Sequence, residues 1–176
     1  LLIPLAAVLI VLVRIPLVFH PSGKTESLPD DNGTIRLMSF NVRLFDFYNW
    51  TNNHQTRQEI LSFLREHPQD ICCFQEFFTS KRMDYDNIKP IMALPGIGYN
   101  HHHYTIKKLY GTDDFGLATF SRYPIVNRGM VDLQTGSRST NQCIFSDLLV
   151  GRDTLRIYNF HLQSIRLDEV QYRLLE

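Results

Sequence analysis

The sequence lacks an excess of charge of either sign. Its 176 residues contain 18 Lys and Arg against 18 Asp and Glu, so the formal net charge is zero. Proteins that bind DNA tightly and without sequence preference use a basic surface to neutralise phosphates. The balanced charge argues against that class. It leaves small phosphate esters, lipid head groups and weakly held nucleic acids as candidate ligands.

Cysteine is scarce, and its spacing carries no motif. The three cysteines, Cys72, Cys73 and Cys143, form no CxxC pair, which argues against a disulfide framework and a structural zinc site. Cys72 and Cys73 lie in an apolar run and are interpreted as small buried side chains. Neither looks like an exposed nucleophile, and Gly-x-Ser-x-Gly is absent from the sequence, so a Ser or Cys hydrolase is poorly supported.

The longest apolar stretch covers residues 1–19 and is interrupted by one charge, Arg14. A helix of this length almost crosses a hydrocarbon core of about 30 Å, and an arginine near its end can reach the interface. We expect a transmembrane segment at 1–19; the end of a signal peptide and a buried core helix are the alternatives. Residues 20–33 are rich in Pro, Gly and Asp and predict a linker, and residues 34–176 predict the folded domain.

The domain alternates predicted strands with fewer helices. A helix is expected at 51–67 with Asn53 or a neighbour as its cap, and a weaker one at 85–93. A turn is expected at 151–153, between the last two strands. Strands are expected at 35–42, 71–75, 99–106, 117–121, 143–150 and 155–162. The pattern predicts an α+β fold with stacked sheets flanked by helices.

Three polar residues follow apolar strands: Asn41, Glu76 and His161. Sites are commonly assembled at strand ends, where the scaffold fixes the side chains and loops admit a ligand. A carboxylate, an amide and an imidazole suit a hard divalent cation acting on a phosphate, since Mg²⁺ prefers oxygen ligands and takes only one or two protein carboxylates. The imidazole can donate a hydrogen bond as charge builds on the phosphate.

Four segments resemble the motifs of the endonuclease/exonuclease/phosphatase family, in that family's order. They are residues 39–42 (Ser-Phe-Asn-Val), 70–76 (Asp-Ile-Cys-Cys-Phe-Gln-Glu), 115–125 and 156–162. The resemblance covers roughly residues 34–164. It implies a four-layer, deoxyribonuclease-I-like fold, in which a two-sheet β-sandwich is flanked by helices.

The resemblance also implies a function and a set of site residues. Glu76 would bind Mg²⁺ or Mn²⁺ with Asn41 beside the metal as a second candidate ligand, and His161 would contact the scissile phosphate. The implied reaction is the attack of an activated water on a phosphoester. Candidate substrates are nucleic acids, inositol phosphates and phospholipid head groups, and no protein partner is implied. A catalytically inactive binding or scaffolding domain of the same fold is the alternative.

The sequence departs from the family pattern after His161. The family's Asp-x-Asn motif and terminal Asp-His pair are not found there, and Asp168 does not fit either motif. We therefore expect residues 34–176 to be the N-terminal part of the domain, its fold incomplete and its turnover low. With the segment at 1–19, the resemblance suggests a protein anchored in a bacterial inner membrane, with the extracytoplasmic side slightly favoured. A nearby membrane and balanced charge tilt the substrate toward small or lipid phosphates.

Several residues near the motifs are candidates for substrate contact. Arg43 shares a sheet face with Asn41 and is predicted to contact phosphate. In His101-His102-His103 at most two side chains point the same way, and His103 is predicted to bind substrate. The aromatic residues between 45 and 50 are consistent with core and loop packing or with a stacking wall for a base or sugar.

Overall fold

The computed structural model describes residues 33–81, 84–94, 98–109, 113–133 and 141–162, with the backbone alone at 105–109. From Ile35 onward these residues belong to one compact unit. The predicted transmembrane segment at 1–19 lies outside the described residues, as does Asp168. Within the described part of the chain, no helix combines the length and the apolar character that crossing a bilayer requires.

The first sheet has four strands in the order β1-β2-β4-β3. These strands are β1 (Leu37–Asn41), β2 (Ile71–Ser80), β3 (Asn100–Leu109) and β4 (Asp113–Ser121). β1 and β2 are parallel, whereas β4 runs antiparallel to both of its neighbours. The parallel pair places the carboxyl end of β1 beside the middle of β2.

The second sheet is an antiparallel meander of β5 (Ile125–Val131), β6 (Gln142–Val150) and β7 (Asp153–His161). A two-residue turn joins β6 to β7, with Gly151 at a φ of 63°. Glycine adopts such a φ without the clash that a Cβ would cause. The predicted turn at 151–153 is confirmed.

The two sheets pack on each other, and β2 is buried on both faces. Cys72 and Phe74 join the core that the helices cover, whereas Ile71 and Cys73 face the second sheet, where they cluster with Leu148. Because both faces are covered, β2 reads as a continuous apolar run rather than an alternating one. The predicted arrangement of two sheets with few helices is confirmed for the described residues.

The main helix is shorter than the sequence predicts. Helix α1 spans Thr56–Glu66, and a second helix, α2, spans Ile88–Met92. The predicted start at residue 51 is wrong because residues 51–55 form turns: Asn52 has a φ of 54°, and Asn53 accepts a hydrogen bond from the Gln55 amide through its side chain. Asn side chains that bond to nearby backbone in this way favour turns over helix.

Strand β5 is absent from the sequence-based prediction. Its side chains are mostly exposed or half-buried, so the alternation of apolar and polar residues that marks a half-buried strand is weak. Gly129 within it lies under the ring of Phe145, and a Cβ there would come within 2.6 Å of the Phe145 ring. A glycine required by close packing therefore looks like a strand breaker in the sequence.

Candidate active site

Asn41 and Glu76 meet where the parallel strands β1 and β2 lie side by side. Asn41 is the last residue of β1 and pairs with Gln75, the residue before Glu76. Its Nδ2 donates a hydrogen bond of 3.0 Å to Glu76 Oε1, and its Oδ1 accepts one of 3.0 Å from the Arg43 amide. The Asn41 amide group thereby fixes the orientation of the Glu76 carboxylate.

Glu76 owes its position to a bulge in β2. Phe74 pairs with Ala118 and Phe77 with Gly116, so β2 has two residues between these pairs where β4 has one. Glu76 lies in this bulge and has a φ of 50°. Regular alternation would place Glu76 on the same face as Phe74, inside the apolar core. The bulge redirects its side chain, as bulges near functional sites commonly do, at a backbone cost of about 1–2 kcal/mol.

His161 approaches the same carboxylate from the second sheet. It is the last residue of β7, and its Nε2 lies 3.5 Å from Glu76 Oε1. The two side chains are 19% and 28% exposed, so solvent or a ligand can reach both. Nδ1 of His161 is buried and makes no hydrogen bond within the described part of the chain. The structure thus brings Asn41, Glu76 and His161 together. Asn41 and His161 end their strands as predicted, whereas the predicted strand end before Glu76 is wrong, because β2 continues to Ser80.

A buried amide pair lies beneath these three residues. Gln75 Nε2 donates to Asn159 Oδ1 at 2.8 Å, and Asn159 Nδ2 donates to the carbonyl oxygens of Ala118 at 3.0 Å and Phe74 at 3.2 Å. Gln75 also donates to Ser39 Oγ. Sequence reasoning missed this pair as a structural element of the site. The available signal was that each amide lies within two residues of a predicted site residue.

An open groove of about 470 Å³ lies between β1, β2 and β7. Asn41 and His161 line it, together with Ser39, Gln75 and Asn159. Apolar side chains, among them Leu37 and Phe160, form much of the rest of its lining, and a ligand in the groove would lie against the imidazole. Glu76 stands at its rim through its contacts with Asn41 and His161.

The loop after β1 has an unusual backbone. Four consecutive residues, Arg43–Asp46, have φ values between 43° and 56°. The Asp46 carboxylate accepts hydrogen bonds from the Thr51 hydroxyl and from the amides of Trp50 and Thr51, and the hydroxyl bond is the main cause that lowers the pKa of Asp46. These bonds hold the strained turn closed. Arg43 points outward from it, with Cζ 5.0 Å from the centre of the Trp50 ring.

The three adjacent histidines do not gather at the site. The ring of His103 lies 5.6 Å from that of Phe77, and His103 is not among the groove residues. His102 is buried, and its ring nitrogens make no hydrogen bond to any residue that the structure describes. Burial is the main cause that lowers the pKa of His102 to about 4, with a smaller effect of Arg128. The substrate-binding role of His103 stays a prediction.

The cysteines are buried, as expected. All three are free thiols, and burial raises the pKa of Cys72 to about 11 and that of Cys73 to about 12. A thiol with so high a pKa is a poor nucleophile at neutral pH. This agrees with the interpretation of the Cys72-Cys73 pair as core residues.

The donor set at the site fits one kind of metal ion. Across the described ranges, no group of three or more His, Cys, Asp or Glu side chains could hold a metal. Glu76 alone offers one accessible carboxylate, which an amide holds in place. A single oriented carboxylate is compatible with Mg²⁺ or Mn²⁺, which can bind through one or two carboxylates and keep several waters.

The sequence of this chain matches a known protein family. Residues 38–170 match the sequence model described as the Endonuclease/Exonuclease/phosphatase family. No curated protein matches significantly.

Solved structures share the fold at low sequence identity. A family protein from Leptotrichia buccalis C-1013-b gives a TM-score of 0.53 at 13% identity, covering 74% of this chain and 54% of that one. D. rerio TDP2, solved with a single-strand DNA product, gives 0.53 at 14% identity, covering 80% and 52%. Truncated Caenorhabditis elegans TDP2 gives 0.52 at 17% identity, covering 75% and 47%. This chain spans about half the length of each structure.

Proposed function

The chain belongs to the endonuclease/exonuclease/phosphatase family, and from this premise we propose that it forms part of a metal-dependent phosphoesterase. Its contribution to the active site is Glu76, Asn41 and His161. The observation that carries the proposal is the convergence of Asn41 and His161, from two different sheets, on the carboxylate of Glu76. A carboxylate beside an imidazole at the edge of an open groove suits a phosphate held by a cation.

Glu76 is the proposed ligand of Mg²⁺ or Mn²⁺. A divalent cation bound there would stabilise negative charge on the phosphoryl oxygens and lower the pKa of a bound water. The hydrogen bond from Asn41 Nδ2 keeps Glu76 Oε1 in place. Asn41 acts in this scheme mainly by orienting Glu76, because its own oxygen already accepts a bond from the Arg43 amide. Direct binding of the metal by Asn41 stays a prediction.

His161 is the proposed contact to the scissile phosphate. Its Nε2 faces the site at 3.5 Å from Glu76, too far for a strong hydrogen bond to the carboxylate. That nitrogen can therefore donate to a phosphate oxygen, and the bond would strengthen as negative charge develops. Arg43 follows Asn41 by two residues, is exposed, and is the proposed second contact to phosphate.

The substrate is proposed as a phosphoester of the class that includes nucleic acids, inositol phosphates and phospholipid head groups. One solved relative of the same fold, D. rerio TDP2, holds a single-strand DNA product. Anchoring through residues 1–19 in a bacterial inner membrane, with the domain on the extracytoplasmic side, remains a proposal that rests on sequence alone.

The test is hydrolysis of bis(p-nitrophenyl) phosphate by the protein that carries this chain together with any sequence that follows Glu176 in its gene. The assay is run with Mg²⁺, with Mn²⁺ and with a chelator, on the wild type, Glu76→Gln and Glu66→Gln. Glu66 lies at the end of α1 and is the matched control. We expect metal-dependent turnover that Glu76→Gln lowers by about 100-fold or more and Glu66→Gln leaves unchanged.

Two other outcomes are informative. Turnover that persists in the chelator, or in Glu76→Gln, would overturn the metal role of Glu76. A folded protein that hydrolyses no phosphoester with any divalent ion would instead support the inactive binding or scaffolding domain.

A further inference from the structure

The structure divides the aromatic residues that follow Asn41 into two groups. Phe45 is 1% exposed, and its ring packs 5.4 Å from that of Phe77. Phe47 packs 4.6 Å from Phe78. Tyr48 and Trp50, in contrast, are 57% and 48% exposed. Packing of the core therefore accounts for the first two residues. Tyr48 contacts the Phe47 ring at 5.0 Å, but most of its surface and about half of that of Trp50 stay exposed.

Tyr48 and Trp50 form one surface with Arg43. The two ring centres are 5.2 Å apart at an interplanar angle of 52°, and the Arg43 guanidinium lies 5.0 Å from the centre of the indole ring. We call these three side chains the aromatic platform. Large exposed aromatic side chains at one place on a surface commonly mark an interaction site.

The platform is held in a fixed position relative to the site. Asp46 accepts hydrogen bonds from the Trp50 amide and from Thr51, which closes the loop beneath the rings. At the other end of the loop, the Arg43 amide donates to Asn41 Oδ1, and Asn41 in turn donates to Glu76. Hydrogen bonds therefore connect the loop that carries the platform to the Glu76 site.

We propose that the aromatic platform stacks an unpaired base of a single-stranded nucleic acid whose phosphate occupies the Glu76 site. This inference rests on the proposed function and specifies its substrate class. Stacking on aromatic side chains, with a contribution from arginine, is how proteins hold single strands without reading their sequence. Bases inside a duplex are already stacked, so the platform suits unpaired bases.

The composition of the platform favours a base over the other phosphoesters. An inositol ring is not flat and carries hydroxyls that require hydrogen-bonding partners, whereas the platform offers two ring faces. Trp, Tyr and Arg also occur at membrane interfaces, so phosphatidylglycerol vesicles are included in the test. The guanidinium over the indole ring can stack and can also contact phosphate.

Trp50 makes the proposal directly measurable, because it is the only tryptophan among these 176 residues. The fluorescence of the Trp50→Phe variant is subtracted, which removes the signal of any other tryptophan in the whole protein. Intrinsic fluorescence of the whole protein is recorded with Mg²⁺ during titration with a six-nucleotide oligo-dT whose phosphorothioate linkages resist hydrolysis. A matching abasic phosphodiester, inositol hexakisphosphate and phosphatidylglycerol vesicles are titrated in parallel. We expect saturable quenching by oligo-dT alone.

Variants extend the test to affinity, measured by anisotropy of a labelled oligo-dT. Trp50→Ala and Tyr48→Ala should each weaken binding by about 10-fold, and Trp50→Phe should retain most of it, because a base stacks on any aromatic face. Phe63→Ala is the matched control: Phe63 is also an exposed aromatic residue, on α1, and its ring packs against Phe40 and His67.

Several results would overturn the platform. Equal binding of the abasic phosphodiester would show that the base makes no contribution. A blue shift with vesicles and no response to oligo-dT would identify a membrane contact instead. Absence of any fluorescence change in a protein that hydrolyses phosphoesters would remove the platform and leave the proposed function standing. Quenching by oligo-dT in a protein that hydrolyses no phosphoester would support the platform and contradict the proposed function.

Discussion

Gln75 and Asn159 join the two sheets directly beneath the candidate site through a 2.8 Å hydrogen bond between their side-chain amides. Gln75 precedes Glu76, and Asn159 lies two residues before His161. Both amides are buried, and Asn159 also donates to backbone oxygens of β2 and β4. The pair therefore fixes the relative position of the strands that carry the carboxylate and the imidazole.

Asn159→Ala should destabilise the protein strongly. It removes the shortest hydrogen bond of the Gln75 amide and the side-chain donor to two buried carbonyl oxygens, and each buried bond lost in this way costs about 1–3 kcal/mol. We expect a loss of about 2–4 kcal/mol in the free energy of unfolding, measured by urea denaturation.

Asn127→Ala is the control for that substitution. Asn127 donates to Asp147 at 3.0 Å but is itself exposed, so water can replace the lost bond. We expect a change below about 1 kcal/mol. Equal effects of the two substitutions would contradict the proposed importance of the buried pair.

His102 should make the fold sensitive to acid. Its pKa falls from 6.5 to about 4 in the folded protein, so the unfolded chain binds more protons than the folded chain between these values. The contribution of neutral His102 is fully present above pH 6.5 and is lost as the pH falls toward 4. His101, His103 and Arg128 add positive charge around the ring and act in the same direction.

The variant that tests this is His102→Phe, which cannot be protonated. Between pH 7 and pH 4.5 the wild type should lose about 2–3 kcal/mol more stability than the variant, because one pKa unit corresponds to about 1.4 kcal/mol. Comparing the two proteins removes the effect of the carboxylates that titrate in the same range. Parallel loss of stability in both proteins would show that His102 is not the cause.

At the position of Asn52, substitution by glycine should be tolerated better than substitution by a β-branched residue. It is exposed and has a φ of 54°, which glycine adopts freely and valine does not. We expect Asn52→Gly to be neutral or slightly stabilising and Asn52→Val to cost about 1–2 kcal/mol in thermal or urea unfolding. Similar stability of the two variants would place this residue outside the left-handed region.

The sequence predicts the two site residues at which strands end. Asn41 and His161 each close an apolar strand, and the fold brings them to the same edge. Glu76 differs from these two residues because it lies within β2, where a bulge directs its side chain away from the apolar core. A bulge depends on how many residues the partner strand supplies, so local sequence does not reveal it.

Other features depend on contacts that are distant in sequence. Phe45 and Trp50 look alike in the sequence, and only the position of Phe77 and the closure of the loop by Asp46 separate the buried ring from the exposed one. The late start of α1 follows from the turn at Asn52 and Asn53, whose side chains are equally compatible with capping. Gly129 reads as a breaker because the ring of Phe145 that requires it lies on another strand.

The most direct test of the account is Mn²⁺ binding, measured by electron paramagnetic resonance on the protein that carries this chain. Wild type and Glu66→Gln should share one high-affinity site. Asn41→Ala should weaken it by about 10- to 100-fold, because it removes the group that orients the ligand. Glu76→Gln should abolish it. Unchanged Mn²⁺ affinity in Glu76→Gln would contradict the assignment of Glu76 as the metal ligand and, with it, the proposed chemistry of the site.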